Sequence, residues 1–343
     1  FLSQSVSGVQ RYGIECSRQI KKLYPDAVFL SPRNILQTDI ASELEAHVIG
    51  TNTGHLWEQV DLVWYLSRHK DARLLNLANT APLLFRNNYI TVHDLAFFLH
   101  PEWNSRKFSV WYNLLIPRIS RNSRHIFTVS QTVKKELMDC YHLPADKISV
   151  TYNGVSQAMA AAGRNNTAKE NIILAVGAFS NRKNHQQLVS AFIRSGLGQQ
   201  YKLMIVADKN KVFSEVHLDA GNFKENNIEI VGSIDESQLI RLYQRAGIMV
   251  SVSLYEGFGI PVLEGIFSGC RIVCSDIPVY RELYSGCALF CDPGDVQAIA
   301  DTLITAAQTG YKSADNDCAG LTRKYNYQQS AASIIDVITR KNQ

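Results

Sequence analysis

Two α/β domains, each a doubly wound parallel sheet, are the fold class this sequence predicts. Three observations predict it. Short apolar segments rich in β-branched residues alternate with helical patterns, and strands apolar on both faces belong in parallel sheets covered by helices. At 343 residues the chain is longer than one ordinary domain and suits two. The alternation is interrupted once: Asn153-Gly154 is a turn signal, and residues 158–170 are small and polar with no apolar periodicity, the composition of a linker.

The elements follow in order. Ser7-Gly8-Val9 leads into a helix over residues 10–23, where Ile14, Ile20 and Leu23 recur at helical spacing. Residues 89–93 (YITVH) and 125–130 (HIFTVS) read as strands. Between them residues 108–120 read as a helix interrupted by Pro117, and residues 131–140 form the next helix. Residues 147–152 close this half as a strand. The second half repeats the pattern, with strands over 172–176, 203–206, 228–231, 248–252 and 272–275. Helices over 185–195, 237–246 and 260–268 separate them. No internal repeat or low-complexity tract is present.

Composition bounds the function. A chain that is 46% apolar and 19% charged is an ordinary globular protein with ample core. No uninterrupted apolar run is long enough to cross a bilayer, and no secretory signal opens the chain. Phe1 in place of a methionine leads us to expect the natural start upstream. Net charge is +4, all of it within residues 1–157. That is too little for a nucleic-acid footprint but sufficient to matter to an anionic ligand or membrane. Seven cysteines, an odd number lying in apolar segments, suit a reducing compartment better than a disulfide framework. Cys270-x3-Cys274 and Cys287-x3-Cys291 have the wrong spacing for a zinc knuckle, and read as structural.

Residues 254–269, LYEGFGIPVLEGIFSG, carry the chemistry. Pro261 suits the first turn of a helix and Gly269 its C-terminal stop, so a helix is expected from Ile260. Gly257 and Gly259 permit close backbone approach, and the amides of Phe258, Gly259 and Ile260 at a helix N-terminus form a ready anion site. Glu256 lies before this loop and Glu264 one turn beyond it, so they reach different parts of a long ligand. A carboxylate can accept two hydrogen bonds from a diol, and phosphate between two diols describes a nucleotide sugar. A glutamate beside a helix start can also simply favour the helix dipole. Arg182 and Lys183 precede another helix. They read either as cations neutralising a diphosphate leaving group or as a solvated pair. His93 ends a strand, where a lone histidine fits a structural role as well as a catalytic one.

Ser253-Leu-Tyr-Glu-Gly-Phe-Gly-Ile-Pro-Val-Leu-Glu264 resembles the E-x7-E signature of the retaining glycosyltransferases of family 4, which have the GT-B fold. The resemblance spans nearly the whole chain. Residues 175–185 (AVGAFSNRKNH) are similar to the family's phosphate-binding segment, and residues 91–97 (TVHDLAF) to the strand end bearing its active-site histidine. Residues 128–134, 152–155 and 275–282 also fit. Two departures stand out: the strand that usually precedes the Gly8 loop has only residues 1–7 to form it, and Ala178 replaces a frequent arginine.

The resemblance implies two Rossmann-like domains facing across a cleft. Residues 1–157 would form the acceptor side and 165–325 the nucleotide-sugar side, with a C-terminal helix, 326–343, crossing back to the first. It implies hexose transfer from a nucleotide diphosphate sugar to a hydroxyl of a glycan or lipid-linked acceptor, with retention and with neither metal nor cofactor. His93, Glu256, Arg182 and Lys183 would be catalytic, while Gly8, Gly257, Phe258, Gly259, Ile260 and Glu264 would help bind substrate. The run from His93 to Trp103 is similar to mannosyltransferases of bacterial surface polysaccharide synthesis, so GDP-mannose is the expected donor and UDP-sugars the alternative. An epimerase or hydrolase on the same fold, or a binding module, stays open. Between Glu102 and Glu136 seven cations (Arg106, Lys107, Arg118, Arg121, Arg124, Lys134 and Lys135) are interleaved with aromatic and aliphatic residues. That region reads either as a contact with anionic membrane or as a packed helix with a basic outer face. The expected location is cytoplasmic, with peripheral contact at the inner membrane face.

Overall fold

The computed structural model describes all residues except 164–167, 208–219, 310–319, 322 and 341–343. The chain forms two units. Unit 1 is Phe1–Gly154 together with the chain from Tyr325 on, and unit 2 is Val155–Lys324. Residue 165, where the sequence reading begins the second domain, and residues 341–343 lie outside the described residues.

Unit 1 opens with α1 (Gly8–Leu23), then a parallel pair, β1 (Leu30–Ser31) and β2 (His47–Val48). Helix α2 covers residues 54–68, α-helical at both ends with a π-type turn at Trp57–Asp61. Strands β3 (Leu74–Asn76), β4 (Asn88–Val92), β5 (His125–Thr128) and β6 (Ile148–Val150) form an all-parallel sheet in sequence order. The connections run through α3 (Arg106–Asn122) and α4 (Gln131–Tyr141). Ile90, Val92 and Ile126 of the sheet are buried with Ile116, Ile119, Val133 and Leu137 of the helices.

Pro117 does not interrupt α3, contrary to the expected break. Proline removes one helical hydrogen bond, at a cost of roughly 3 kcal/mol. Leu115, Ile116 and Ile119 around it are buried, each contributing roughly 1.5–3 kcal/mol, and the core contact wins. The C-terminal helix, Tyr327–Thr339, packs on α1 within unit 1. Ser330 Oγ donates to the Tyr152 carbonyl at 2.6 Å. A side chain at Gly154 would meet the backbone of Asn326 at 2.9 Å, so glycine is what lets this helix seat.

Unit 2 begins with a short helix, Gln157–Ala162, where the sequence reading placed only linker. Ser156 Oγ accepts from the Met159 amide and caps it, and alanine needs little side-chain entropy to propagate it. The six strands are β7 (Glu170–Val176), β8 (Lys202–Val206), β9 (Ile228–Val231), β10 (Ala246–Ser251), β11 (Arg271–Ser275) and β12 (Leu289–Cys291). They form one parallel sheet in the order β12-β11-β10-β7-β8-β9. Helices α5 (His185–Ser195), α6 (Glu236–Arg245), α7 (Ile260–Phe267), α8 (Pro278–Tyr284) and α9 (Val296–Gln308) cover it. The chain runs outward from β7 through β8 to β9, then returns to β10 on the other side of β7. That reversal makes the β7/β10 junction the switch point of the sheet, where open α/β folds leave a crevice at the carboxyl ends of the strands.

Among the described residues Cys16, Cys140, Cys270, Cys274 and Cys291 are free thiols and Cys287 is disulfide-bonded. Among the described residues no helix is long and apolar enough to cross a membrane, and no cluster of three or more His, Cys, Asp or Glu is arranged around a metal position.

Candidate functional site

In unit 2 the two loops that follow β7 and β10 meet at the switch point. After β7 the chain passes through Gly177 to a turn of 3-10 helix, Asn181–Lys183, and Asn184, in the left-handed region, then starts α5. Gly177 has φ +149°, and a side chain there would press on Lys183 Cε at 3.0 Å, so glycine lets the lysine lie across the strand end. After β10, the Leu254 amide donates to the Arg182 carbonyl at 2.8 Å, which ties the loops together.

Glu256 sits at their junction. Its Oε1 accepts from Lys183 Nζ at 2.5 Å and from Ser253 Oγ at 2.8 Å, and its Oε2 accepts from Arg182 at 3.3 Å. Burial alone would push the carboxyl up, but the charges of Lys183 and then Arg182 outweigh burial and hold it at about 2. The carboxylate is therefore ionised in a buried place, compensated by two cations. Three residues read separately from the sequence form one ion cluster with a single net positive charge.

The loop of Gly257, Phe258 and Gly259 then leads into α7, which starts at Ile260 with Pro261 in its first turn. Gly259 has φ +85° and its α-carbon lies against the Tyr280 ring, leaving no room for a side chain. Glu264 lies one turn along α7 and is buried.

Two tyrosines of α8 brace this loop. Tyr280 Oη is 2.7 Å from Ser251 Oγ. Tyr284 Oη donates to the carbonyls of Phe258 and Gly259 at 3.3 and 3.1 Å, one hydroxyl shared between two acceptors. No cis peptide bond is present among the described residues, and in a trans peptide the N–H points opposite the C=O. With those carbonyls turned toward Tyr284, the amides of Gly259 and Ile260 point the other way. The sequence reading missed both tyrosines. An aromatic pair four apart on a helix reads as core, and nothing in the spacing says which carbonyls they meet.

In unit 1 the candidate residues occupy a neutral setting. His93 follows β4 and is buried. Its Nε2 donates to the Leu77 carbonyl at 2.8 Å, and its amide donates to Asn79 Oδ1 at 2.8 Å. A carbonyl can only accept, so the proton is on Nε2 and Nδ1 of the neutral ring is an acceptor. Burial lowers the imidazole pKa, outweighing the Leu77 carbonyl and the Asp94 charge that raise it, so the ring is neutral near pH 7. Asn79 has φ +26°, a strained conformation that asparagine tolerates better than most side chains.

Gly8 starts α1, whose entry is held by the Ser7 amide donating to Gln10 Oε1 at 3.2 Å. One turn on, the Tyr12 ring stands edge-on to His93 at 4.9 Å, and Tyr12 Oη is 2.7 Å from Thr151 Oγ1. The structure thus joins the Gly8 helix to His93 through Tyr12, a contact that helical spacing alone presents as core.

Residues 54–158 match the family described as Glycosyltransferase Family 4, and residues 160–319 match Glycosyl transferases group 1. The O-antigen chain mannosyltransferase RfbU of Salmonella typhimurium is 29% identical over 296 residues, covering 80% of this chain and 80% of its own. The O-antigen chain mannosyltransferase B of Escherichia coli is 24% identical over 335 residues, covering 88% and 87%. Among solved structures, HepE of Anabaena in complex with UDP-glucose superposes with a TM-score of 0.73 at 18% identity, covering 97% of each chain. A glycosyltransferase from Rickettsia africae superposes with a TM-score of 0.72 at 17% identity, covering 97% of this chain and 95% of its own.

Proposed function

The chain belongs to glycosyltransferase family 4, the group 1 glycosyl transferases, and on that premise we propose that it moves mannose from GDP-mannose to a hydroxyl of a glycan or lipid-linked acceptor, with retention and without a metal. It is a hexosyltransferase of the GT-B fold. The observation that carries the finer reading is the Glu256–Lys183–Arg182 cluster at the β7/β10 switch point, beside the start of α7. Mannose is favoured by the two mannosyltransferase relatives, which match most of the chain.

In this reading the diphosphate lies against the start of α7, where the amides turned outward by Tyr284 meet its oxygens. Glu264 holds the ribose diol and Glu256 orients the hexose. The acceptor oxygen bonds to the anomeric carbon as the bond from that carbon to the diphosphate oxygen breaks. The electron pair leaves with the diphosphate, and the acceptor proton passes to a donor phosphate oxygen on the same face. Arg182 and Lys183 stabilise the charge that builds on the leaving group, the moment at which fixed cations accelerate a reaction. His93, neutral and bearing a lone pair on Nδ1, accepts a hydrogen bond from a sugar hydroxyl.

A UDP-sugar donor is the second reading, supported by HepE having been crystallised with UDP-glucose. Thermal shift against GDP, UDP, GDP-mannose and UDP-glucose separates base from sugar. Transfer to an acceptor with and without EDTA tests the rest. Stabilisation by GDP-mannose above GDP, with EDTA-insensitive transfer, is the expected result. Stabilisation by UDP species alone replaces the donor, loss of activity in EDTA overturns metal independence, and turnover without an acceptor makes the protein a hydrolase or epimerase.

A further inference from the structure

We propose that unit 1 carries a membrane-docking face built jointly by α2 and α3, and that its ligand is an anionic lipid bilayer. On α2, Leu56, Val60 and Trp64 recur every four residues and are 59%, 49% and 61% exposed. On α3, Trp111 and Leu114 are 47% and 52% exposed, with Val110 beside them. Single exposed apolar residues are ordinary, but a repeated stripe on one helix beside a second on its neighbour is a patch of the kind that marks an interaction surface. The helices meet at His55, whose ring centroid is 6.4 Å from that of Trp111 and whose Nε2 is 3.4 Å from Tyr112 Oη.

Both stripes end in basic residues at the C-terminal side. On α2 the Arg68 guanidinium lies 3.4 Å over the Trp64 ring. On α3 the series Lys107, Trp111, Leu114, Arg118 and Arg121 falls at helical spacing and is exposed throughout. Tryptophan with an apolar body and arginine with a charged tip suit the boundary where headgroups meet acyl chains. The acids of α2 are already paired within unit 1. Glu58 Oε2 accepts from Thr80 Oγ1 and its carboxylate also accepts from His55 at the helix junction, and Asp61 accepts from the Thr51 and Asn52 amides. Apolar contact and positive charge together are the two signals that reversible attachment to an anionic bilayer needs.

The test is sedimentation with vesicles of phosphatidylcholine alone or mixed with phosphatidylglycerol. The wild-type protein is compared with Leu56→Gln/Val60→Gln/Trp64→Gln and with Arg68→Gln/Arg118→Gln/Arg121→Gln. The wild type should sediment with the anionic vesicles and not with the neutral ones. The arginine triple should bind them roughly 100-fold more weakly, the scale of three cations at such a surface. The apolar triple should also lose binding while keeping every charge. Both variants should retain the wild-type melting temperature and transfer to a soluble acceptor, which separates docking from folding and from the donor chemistry. Wild type that does not sediment, or an apolar triple that sediments unchanged, overturns the proposal. So does a wild-type dimer that the apolar triple dissociates without any vesicle binding.

Discussion

The two units hold their candidate residues by opposite means. In unit 2 a buried carboxylate is kept ionised by two cations, and every function assigned to Glu256, Arg182 and Lys183 passes through one ion cluster. In unit 1 the group of interest is a neutral imidazole, fixed by a backbone carbonyl and an asparagine, and packed on a tyrosine. The difference matches the partners proposed for each. A diphosphate gains charge as it departs and is served by cations already in place, whereas a sugar hydroxyl is held by neutral donors and acceptors. It also means the units fail differently. Removing one member of an ion cluster strands the others, while removing one member of a neutral network costs about a hydrogen bond.

The largest expected effect comes from breaking the cluster. Lys183→Ala leaves Glu256 buried with the Ser253 hydrogen bond and the longer Arg182 ion pair, and should destabilise unit 2 by about 3 kcal/mol. Adding Glu256→Gln should restore most of that stability, because the stranded charge is gone, while transfer stays lost. Arg182→Ala with Lys183→Ala should reduce kcat/KM by at least ~3 kcal/mol of transition-state stabilisation. Glu256→Gln alone should spare affinity for free nucleoside diphosphate but lower turnover. Glu264→Gln should weaken nucleotide and nucleotide sugar alike, by roughly 1–3 kcal/mol. Calorimetry beside steady-state kinetics checks the set. Equal loss of nucleotide affinity in both glutamate variants would remove the division of labour between them.

A middle-sized effect sharpens the comparison through pH. His185, at the start of α5, is buried against Phe179, and burial, with the Lys183 charge, lowers its pKa to about 3. A folded value below the unfolded one near 6.5 gives stability that is complete above pH 6.5. It declines as pH falls toward 3, by about 1.4 kcal/mol per pH unit. Glu256 adds a second loss, beginning below its unfolded value near 4.5 and ending near 2. His185→Gln should therefore flatten unit 2's melting temperature between pH 6.5 and 4.5, leaving the steeper fall below. A variant that melts with the wild-type pH slope throughout would show that His185 does not carry the first loss.

Charge and glycine made unit 2's site legible. Glu256, Gly257, Gly259, Pro261 and Glu264 each have a local physical reason to stand where they do, and a helix start at Ile260 follows from Pro261 alone. What the spacing could not convey was that Lys183 and Arg182, more than seventy positions away, reach Glu256 itself, because that depends on β7 and β10 being neighbours. Unit 1 was less legible for the same reason. Asn79 and Tyr12 act on His93 only through tertiary contacts, and neither belongs to a pattern that distinguishes it from loop or core. Strands of two or three residues, such as β1, β2 and β3, are too short to show periodicity at all. The unbroken α3 across Pro117 and the capped helix at Gln157–Ala162 show local signals yielding to burial and capping.

The smallest expected effect falls on Tyr284, and it asks whether unit 2 depends on neutral positioning as unit 1 does. Tyr284→Phe keeps the ring and its edge-on contact with Phe258 and removes only the hydroxyl that donates to the two carbonyls. If the hydroxyl merely stabilises the fold, the loss is about 1 kcal/mol in melting free energy and nothing in binding. If it orients the peptides that turn the Gly259 and Ile260 amides outward, affinity for the nucleoside diphosphate should fall about 3- to 10-fold, while affinity for the nucleoside, which lacks phosphate, stays unchanged. Asn79→Ala in unit 1 is the matched control. It removes the side chain that receives the His93 amide, so it should lower turnover without altering nucleotide affinity. Calorimetry with nucleoside and nucleoside diphosphate on both variants reads the contrast directly. A Tyr284→Phe protein that binds both ligands as the wild type does would confine orientation by neutral contacts to unit 1, and leave phosphate recognition in unit 2 to the ion cluster.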